Sequence, residues 1–265
     1  MSSSVPSSTP AEILPDGAIP AATLVIMRAP DSGGVDEILM VKRATTMAFA
    51  AGAVVFPGGR VDPDDYMVAQ RHGFGEIDAD GAARVAALRE TLEETGLAVG
   101  WPALAEKEVA EVRRALLSGT LLSDILAARG DRIALETLVP FARWCPNFKE
   151  SRTFDTRFYA VEAPAHGHEL TVEEAEHSHI FWASAKDTLA MADRGEVSVI
   201  FPTRRNLERI AQAPDFSSFS AHSSQFPIEL ITPWIEERDG RRHLCIPDHL
   251  GYPVTIEAFD RVRRA

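Results

Sequence analysis

No apolar run in the 265-residue sequence approaches the roughly 20 residues that a membrane-spanning helix needs, so a helical membrane protein is excluded. Cysteine is scarce. Cys145 and Cys245 are the only two, too few for a secreted disulfide framework, and a reducing, cytoplasmic setting is expected. Basic excess is missing as well. The formal net charge is −12, which excludes general binding to nucleic acid or to anionic membranes. It does not exclude a small anionic substrate held through metal ions and a few local arginines. The first 20 residues have no apolar core of the secretory kind, and Arg28 is the first basic residue. They are rich in Ser, Pro and Ala, so 1–20 reads as a disordered leader and 21–265 as one domain.

What is present is a mixture of strands and helices. Ala21 to Met27 is a β-rich apolar run, Asp31-Ser32-Gly33-Gly34 a turn, and Glu37 to Arg43 a second strand, together a hairpin. Val54, Val55 and Phe56 suggest a short strand ending at Pro57-Gly58-Gly59. Residues 60–80 read as loop. Asp80 is placed to cap a helix from about Gly81 to Thr95, with Val85, Leu88 and Leu92 on its apolar face and Gly96 to stop it. Residues 103–128 look helical, in two amphipathic stretches, Glu106–Leu117 and Leu121–Ala128. Phe154–Val161 and Ile180–Trp182 read as strands, 184–194 and 202–213 as helices. Asp239-Gly240 is a hairpin turn between Ile228–Glu236 and His243–Ile246. The order is irregular and without repeats, which fits α+β or a three-layer α/β/α arrangement. Trp144, Trp182 and Trp234 are most simply core or edge packing. Pro202-Thr203-Arg204-Arg205 opens a helix, whose first N–H groups can bind phosphate.

The chemistry concentrates at Arg89-Glu90-Thr91-Leu92-Glu93-Glu94-Thr95-Gly96-Leu97. Positions three and four apart share a helix face, so Glu90, Glu93 and Glu94 present three carboxylates on one side. Like charges at this spacing repel by a few tenths of a kcal/mol per pair. The helix dipole disfavours them again in the last turns. A hard divalent cation, Mg²⁺ or Mn²⁺, offsets both. The plainer alternative is a solvated acidic helix end. Against it, Arg-Glu-x-x-Glu-Glu-x-Gly occurs by chance at about one in a million per position.

This string is similar to the C-terminal half of the Nudix signature: Gly, five residues, Glu, seven residues, then Arg-Glu-aliphatic-x-Glu-Glu-x-Gly-aliphatic. Gly59 would open the N-terminal half. The family has 13 residues between that Gly and the Arg, whereas residues 60–88 intervene here, about 16 more. Counted back from Arg89, the slot of the first Glu holds Gly81; counted forward from Gly59, it holds Asp65. Neither is a glutamate, and neither receives a role. A long insert inside the signature resembles the coenzyme A diphosphatase branch. A coenzyme A-associated motif of that branch precedes the box. Leu39-Met40-Val41-Lys42-Arg43-Ala44, then Ala48, Gly52 and Phe56-Pro57-Gly58-Gly59, keep its spacing, with Val41 replacing Thr and Ala48 replacing Arg.

The resemblance implies a Nudix-type α/β/α sandwich with a mixed sheet, an insertion at about 60–80 and a helical insert at about 103–128. It implies hydrolysis of the diphosphate linkage of coenzyme A or acyl-coenzyme A with Mg²⁺ or Mn²⁺. Glu90, Glu93, Glu94 and the Gly59 carbonyl would hold metal. Arg89 would orient the glutamates. Glu176, in an acidic stretch before Ile180, would serve as further ligand or general base. Arg43, Phe56 and Gly58 would meet the substrate. The helical insert could cover an acyl chain, although packing on the core is the plainer reading. Another nucleoside diphosphate derivative (ADP-ribose, NADH, a dinucleoside polyphosphate) and a non-catalytic ligand sensor are the alternatives. A homodimer is left open.

Overall fold

The computed structural model describes residues 17–44, 51–146, 152–164, 170 and 177–262. In chain order the strands and helices are β1 (Ile19–Arg28), β2 (Glu37–Arg43), β3 (Val54–Val55), β4 (Gly58–Arg60), α1 (Pro63–Arg71), α2 (Ala79–Thr95), α3 (Glu106–Leu117) and α4 (Leu122–Arg129). A short 3₁₀ turn at Leu135–Thr137 leads into β5 (Val139–Trp144), β6 (Phe154–Glu162), β7 (His177–Ser184), α5 (Ala185–Asp193), α6 (Phe201–Ile210) and α7 (Phe216–Ser223). Then come β8 (Leu230–Ile231), β9 (Trp234–Arg238), β10 (Arg241–Cys245), β11 (Ile256–Ala258) and α8 (Phe259–Val262).

β1 is central because its sequence is apolar on both faces. Ala22, Leu24 and Ile26 pack with α1 to α4, while Val25 and Met27 point to the opposite core with α5, α6 and α7. Helices therefore cover both sides of a mixed sheet, the expected α/β/α sandwich. β6 runs parallel to β1 over its whole length, from Ile19↔Phe154 to Met27↔Glu162. The other edge of β1 is divided: β2 pairs at Met27 and Arg28, β4 at Ala21 to Thr23. β7 continues the sheet beyond β2, and β5 and β8 beyond β6. A separate antiparallel sheet holds β9, β10 and β11. Asp239 and Gly240 turn its hairpin at φ 50° and 70°, a type I′ conformation that suits this residue pair.

Several expectations change. The stretch 60–80 is not all loop. Pro63 at the first helical position and acidic Asp64 and Asp65 in the first turn start α1, and Val68 and Ala69 bury its inner face. Helix α2 begins a little before Gly81, and its cap is Asp78, whose side chain accepts from Gly81 N at 2.7 Å. Asp80 is engaged by Arg84 and by the Tyr159 hydroxyl, which outcompete a capping role. β1 starts at Ile19, before the expected end of the leader; residues 1–16 lie outside the described residues. The helical insert buries Val109, Val112, Leu116, Leu122, Ile125 and Leu126 in the α2-side core. Trp144 is buried and Trp182 half-buried, but Trp234 stands exposed on β9. β5 had no strand signal strong enough to read, and it completes the sheet beside β6.

Candidate metal centre

The C-terminal half of α2 carries the site. Gly96, at φ 74°, closes the helix and donates to Leu92 O at 3.0 Å. Leu88, Leu92, Thr91 and Thr95 hold α2 in the core, which leaves Glu90 and Glu93 on the open side.

Arg89 is the hub. It is 8% exposed and donates Nε and Nη2 to the two carboxylate oxygens of Asp65, each at 3.0 Å. Its Nη1 reaches Glu90 Oε1 at 2.9 Å and, more weakly, Glu93 Oε1 at 3.4 Å. Nη2 also donates to the carbonyl of Arg60 at 2.9 Å, which ties α2 to β4. Asp65, the residue counted forward from Gly59, thus has a partner that the sequence did not assign: fully buried at the start of α1, it grips the arginine. The stretch expected as an insertion, about 60–80, contains α1 and through Asp65 reaches Arg89 on α2. The readable signal was the count from Gly59 combined with Asp-Pro-Asp-Asp as a helix start.

Two glycines on β4 set the approach. A Cβ on Gly59 would lie 2.3 Å from the Glu90 carboxyl carbon, so any other residue there would push that carboxylate aside. Gly58, at φ 152°, would clash with Ala22 O of β1 at 2.3 Å. Its N–H donates to Glu94 Oε2 at 3.0 Å and fixes that buried carboxylate.

Crowding shows in the electrostatics. Burial pushes Glu90 up to about 7, with Glu93 adding to the rise and Arg89 opposing it. Burial raises Glu93 and Asp65 too, against the pull of Arg89. Burial alone would lower the Arg89 guanidinium; Asp65, Glu90 and Glu93 together hold it above its ordinary value. One guanidinium thus faces Asp62, Asp65, Glu90 and Glu93 at ion-pair distance. The oxygen-rich donor set, with the Gly59 cradle beside it, suits a hard divalent cation. Among the described residues no three such ligands are gathered into a closed cage, since Glu90 and Glu93 lean on Arg89 and Glu94 on Gly58.

The remaining site residues expected from sequence lie as follows. Phe56 is buried in the core on the α5–α7 side. Arg43, half-buried at the end of β2, donates its N–H to Ala53 O at 2.9 Å, on the segment that leads to Gly58. Glu176 and Ala48 lie outside the described residues. Arg204 and Arg205 near the start of α6 are ion-paired with Asp193, Glu208 and Glu257, so their guanidinium groups already have carboxylate partners.

The model of the Nudix domain family matches residues 18–118. A curated Caenorhabditis elegans protein, "Putative nudix hydrolase 7", is 26% identical over 187 residues, 68% of this chain and 57% of that protein. The crystal structure of a Nudix hydrolase from Alicyclobacillus acidocaldarius is 33% identical, with a TM-score of 0.67, and the match covers 77% of this chain and 96% of that one. The chain belongs to the Nudix hydrolase family. No helix of the described residues is long and apolar enough to cross a membrane.

Proposed function

We propose that the protein hydrolyses the diphosphate linkage of coenzyme A or acyl-coenzyme A, releasing (acyl-)4′-phosphopantetheine and adenosine 3′,5′-bisphosphate. The observation that carries the hydrolase chemistry is the Asp65–Arg89–Glu90 arrangement set against Gly58 and Gly59. The coenzyme A assignment is supported by the preserved spacing from Leu39 through Arg43 and Gly52 to Phe56-Pro57-Gly58-Gly59.

In this reading Glu90, Glu93, Glu94 and the Gly59 carbonyl hold Mg²⁺ or Mn²⁺. Bound there, such ions would supply an acidified water and would neutralise charge on the phosphoryl oxygens. The chain's own groups do the rest. Asp65 holds the Arg89 guanidinium, and Arg89 holds Glu90 and Glu93 in place. The Gly58 N–H orients Glu94. Arg43 contacts the substrate's phosphates, and Glu176 is the further ligand or general base. Cys145 and Cys245 are free and buried, in keeping with a reducing cytoplasm.

A second reading, another nucleoside diphosphate derivative such as ADP-ribose, NADH or a dinucleoside polyphosphate, is favoured by Ala48, which stands where the coenzyme A motif has Arg. A ligand sensor without activity is disfavoured by the retention of Glu90, Glu93 and Glu94 together.

The test is a substrate panel in Mg²⁺ or Mn²⁺ beside Glu94→Gln. The panel holds coenzyme A, acetyl- and long-chain acyl-coenzyme A, ADP-ribose, NADH and a diadenosine polyphosphate. Adenosine 3′,5′-bisphosphate release that Glu94→Gln abolishes supports the proposal. Turnover of ADP-ribose or a dinucleotide alone replaces the substrate and keeps the chemistry. No metal-dependent turnover of any member overturns the proposal.

A further inference from the structure

Helix α2 ends in a setting that its own sequence does not complement. Its last turn contains no basic residue, although Glu93 and Glu94 lie there beside the negative end of the helix dipole. The last carbonyls of a helix also need donors from elsewhere. Gly96 N takes Leu92 O, but Leu97 N, next in line, donates to Thr95 Oγ1 at 3.1 Å. The Glu93 carbonyl is reached from another helix: Arg113 Nε, on α3, donates to it at 2.9 Å. Arg113 is half-buried, and its neighbours Val109, Val112 and Leu116 anchor α3 in the core. The guanidinium is thus delivered to the Glu93 peptide by a rigid, packed helix. The contacts described above for Glu90, Glu93 and Glu94 come from Arg89 on α2 itself and from Gly58 on β4; this one comes from α3.

We infer that Arg113 is a positioning residue of the metal centre: by anchoring the Glu93 peptide it sets the direction of the Glu93 and Glu94 carboxylates and so the affinity for a divalent cation. α3 is then part of the site's scaffold. The inference rests on the reading of α2 as the metal helix. It goes beyond that reading by assigning a role to a segment outside the signature.

Two effects of losing Arg113 have opposite signs. Removing a positive charge near the carboxylates favours cation binding. Releasing the Glu93 peptide disfavours it, and groups that orient metal ligands are typically worth roughly tenfold or more in affinity. Binding of Mn²⁺ alone, followed by electron paramagnetic resonance, separates the two. Thermal melts of the same apo proteins show that each is folded. We expect Arg113→Met to weaken Mn²⁺ binding about tenfold and to lower kcat more than it raises KM. Arg113→Lys keeps the charge and a donor, and should recover part of the loss. An Arg113→Met protein that binds Mn²⁺ as tightly as the wild type, or more tightly, overturns the inference. If Arg113→Met does not fold, Arg113→Ala decides: unchanged Mn²⁺ affinity would overturn the inference, and a several-fold loss would support it. A wild-type protein that binds no Mn²⁺ would instead defeat the metal-helix reading beneath it.

Discussion

Replacing Asp65 by Asn keeps the shape of a fully buried side chain and removes its charge. Asp65 accepts from Arg89 Nε on one oxygen, and from Arg89 Nη2 and Asp62 N on the other. An amide has a single oxygen. Whichever way it is turned, its NH₂ faces at least one donor, and a guanidinium that is 8% exposed loses the counter-charge that grips it through two nitrogens. Glu90, Glu93 and the Arg60 carbonyl still hold Arg89, which limits the damage. A buried charged donor left unmatched costs about 1–3 kcal/mol, and breaking a buried pair outright about 3–5. The expected loss is therefore about 2–4 kcal/mol, a fall in Tm on the order of 10 °C for a chain of this size. Circular dichroism melts in metal-free buffer measure the stability. Metal-dependent turnover under conditions where the variant is folded measures the site. Activity should drop about a hundredfold, because Arg89, released on the Asp65 side, aligns Glu90 less closely. A melt within 1 °C of wild type (~1 °C being below the smallest shift worked out above), with unchanged turnover, would refute the hub.

Other outcomes follow from the same contacts. Gly59→Ala pushes a methyl group into the Glu90 carboxyl group and should lower kcat about a hundredfold, with a much smaller effect on Tm than Asp65→Asn; equal activity would remove the cradle. Tyr159→Phe deletes the hydroxyl that donates to Asp80 Oδ1 at 2.8 Å, and since Arg84 still holds Asp80, denaturant unfolding should show a loss of only about 1 kcal/mol. Leu92→Ala empties a fully buried position on α2 and should cost about 2–5 kcal/mol by the same titration. Chelation with EDTA should abolish turnover and leave the far-ultraviolet spectrum unchanged, since both cores are built of apolar side chains and the carboxylates lie outside them; unfolding on chelation would contradict a catalytic site of this kind.

Much of this was legible in the residues, for reasons of period and punctuation. β1 and β2 are continuous apolar runs, and α2 ends on a glycine, so both were readable within a few residues. Asp239-Gly240 named its own turn. Arg89, Glu90, Glu93 and Glu94 were legible because their crowding makes no sense in a helix built only to be stable. Asp65 received no role because the count to Arg89 broke. Spacing along the chain is a poor guide once an insertion intervenes, since lengthening a loop from 13 to 29 residues costs only about 0.7 kcal/mol of closure entropy, and α1 repays this by packing. Arg113 was invisible for a different reason: its role depends on where α3 comes to rest. Asp78 and Asp80 suit a cap equally by residue type, and Arg84 and Tyr159 decide between them only in three dimensions.

The divided edge of β1 has a consequence for how the centre breathes. Gly58 and Gly59 do not sit on a hanging loop; they are rungs of the central ladder, opposite Thr23 and Ala22. A fluctuation that carried the Gly59 carbonyl or the Gly58 N–H away from the carboxylates would have to break β4 from the strand on which both cores are built. Its free energy is then higher than that of the low-cost openings of surface segments. The floor of the centre should exchange its amide hydrogens more slowly than the exposed turns do. Adaptation to different substrates therefore falls to the walls around it.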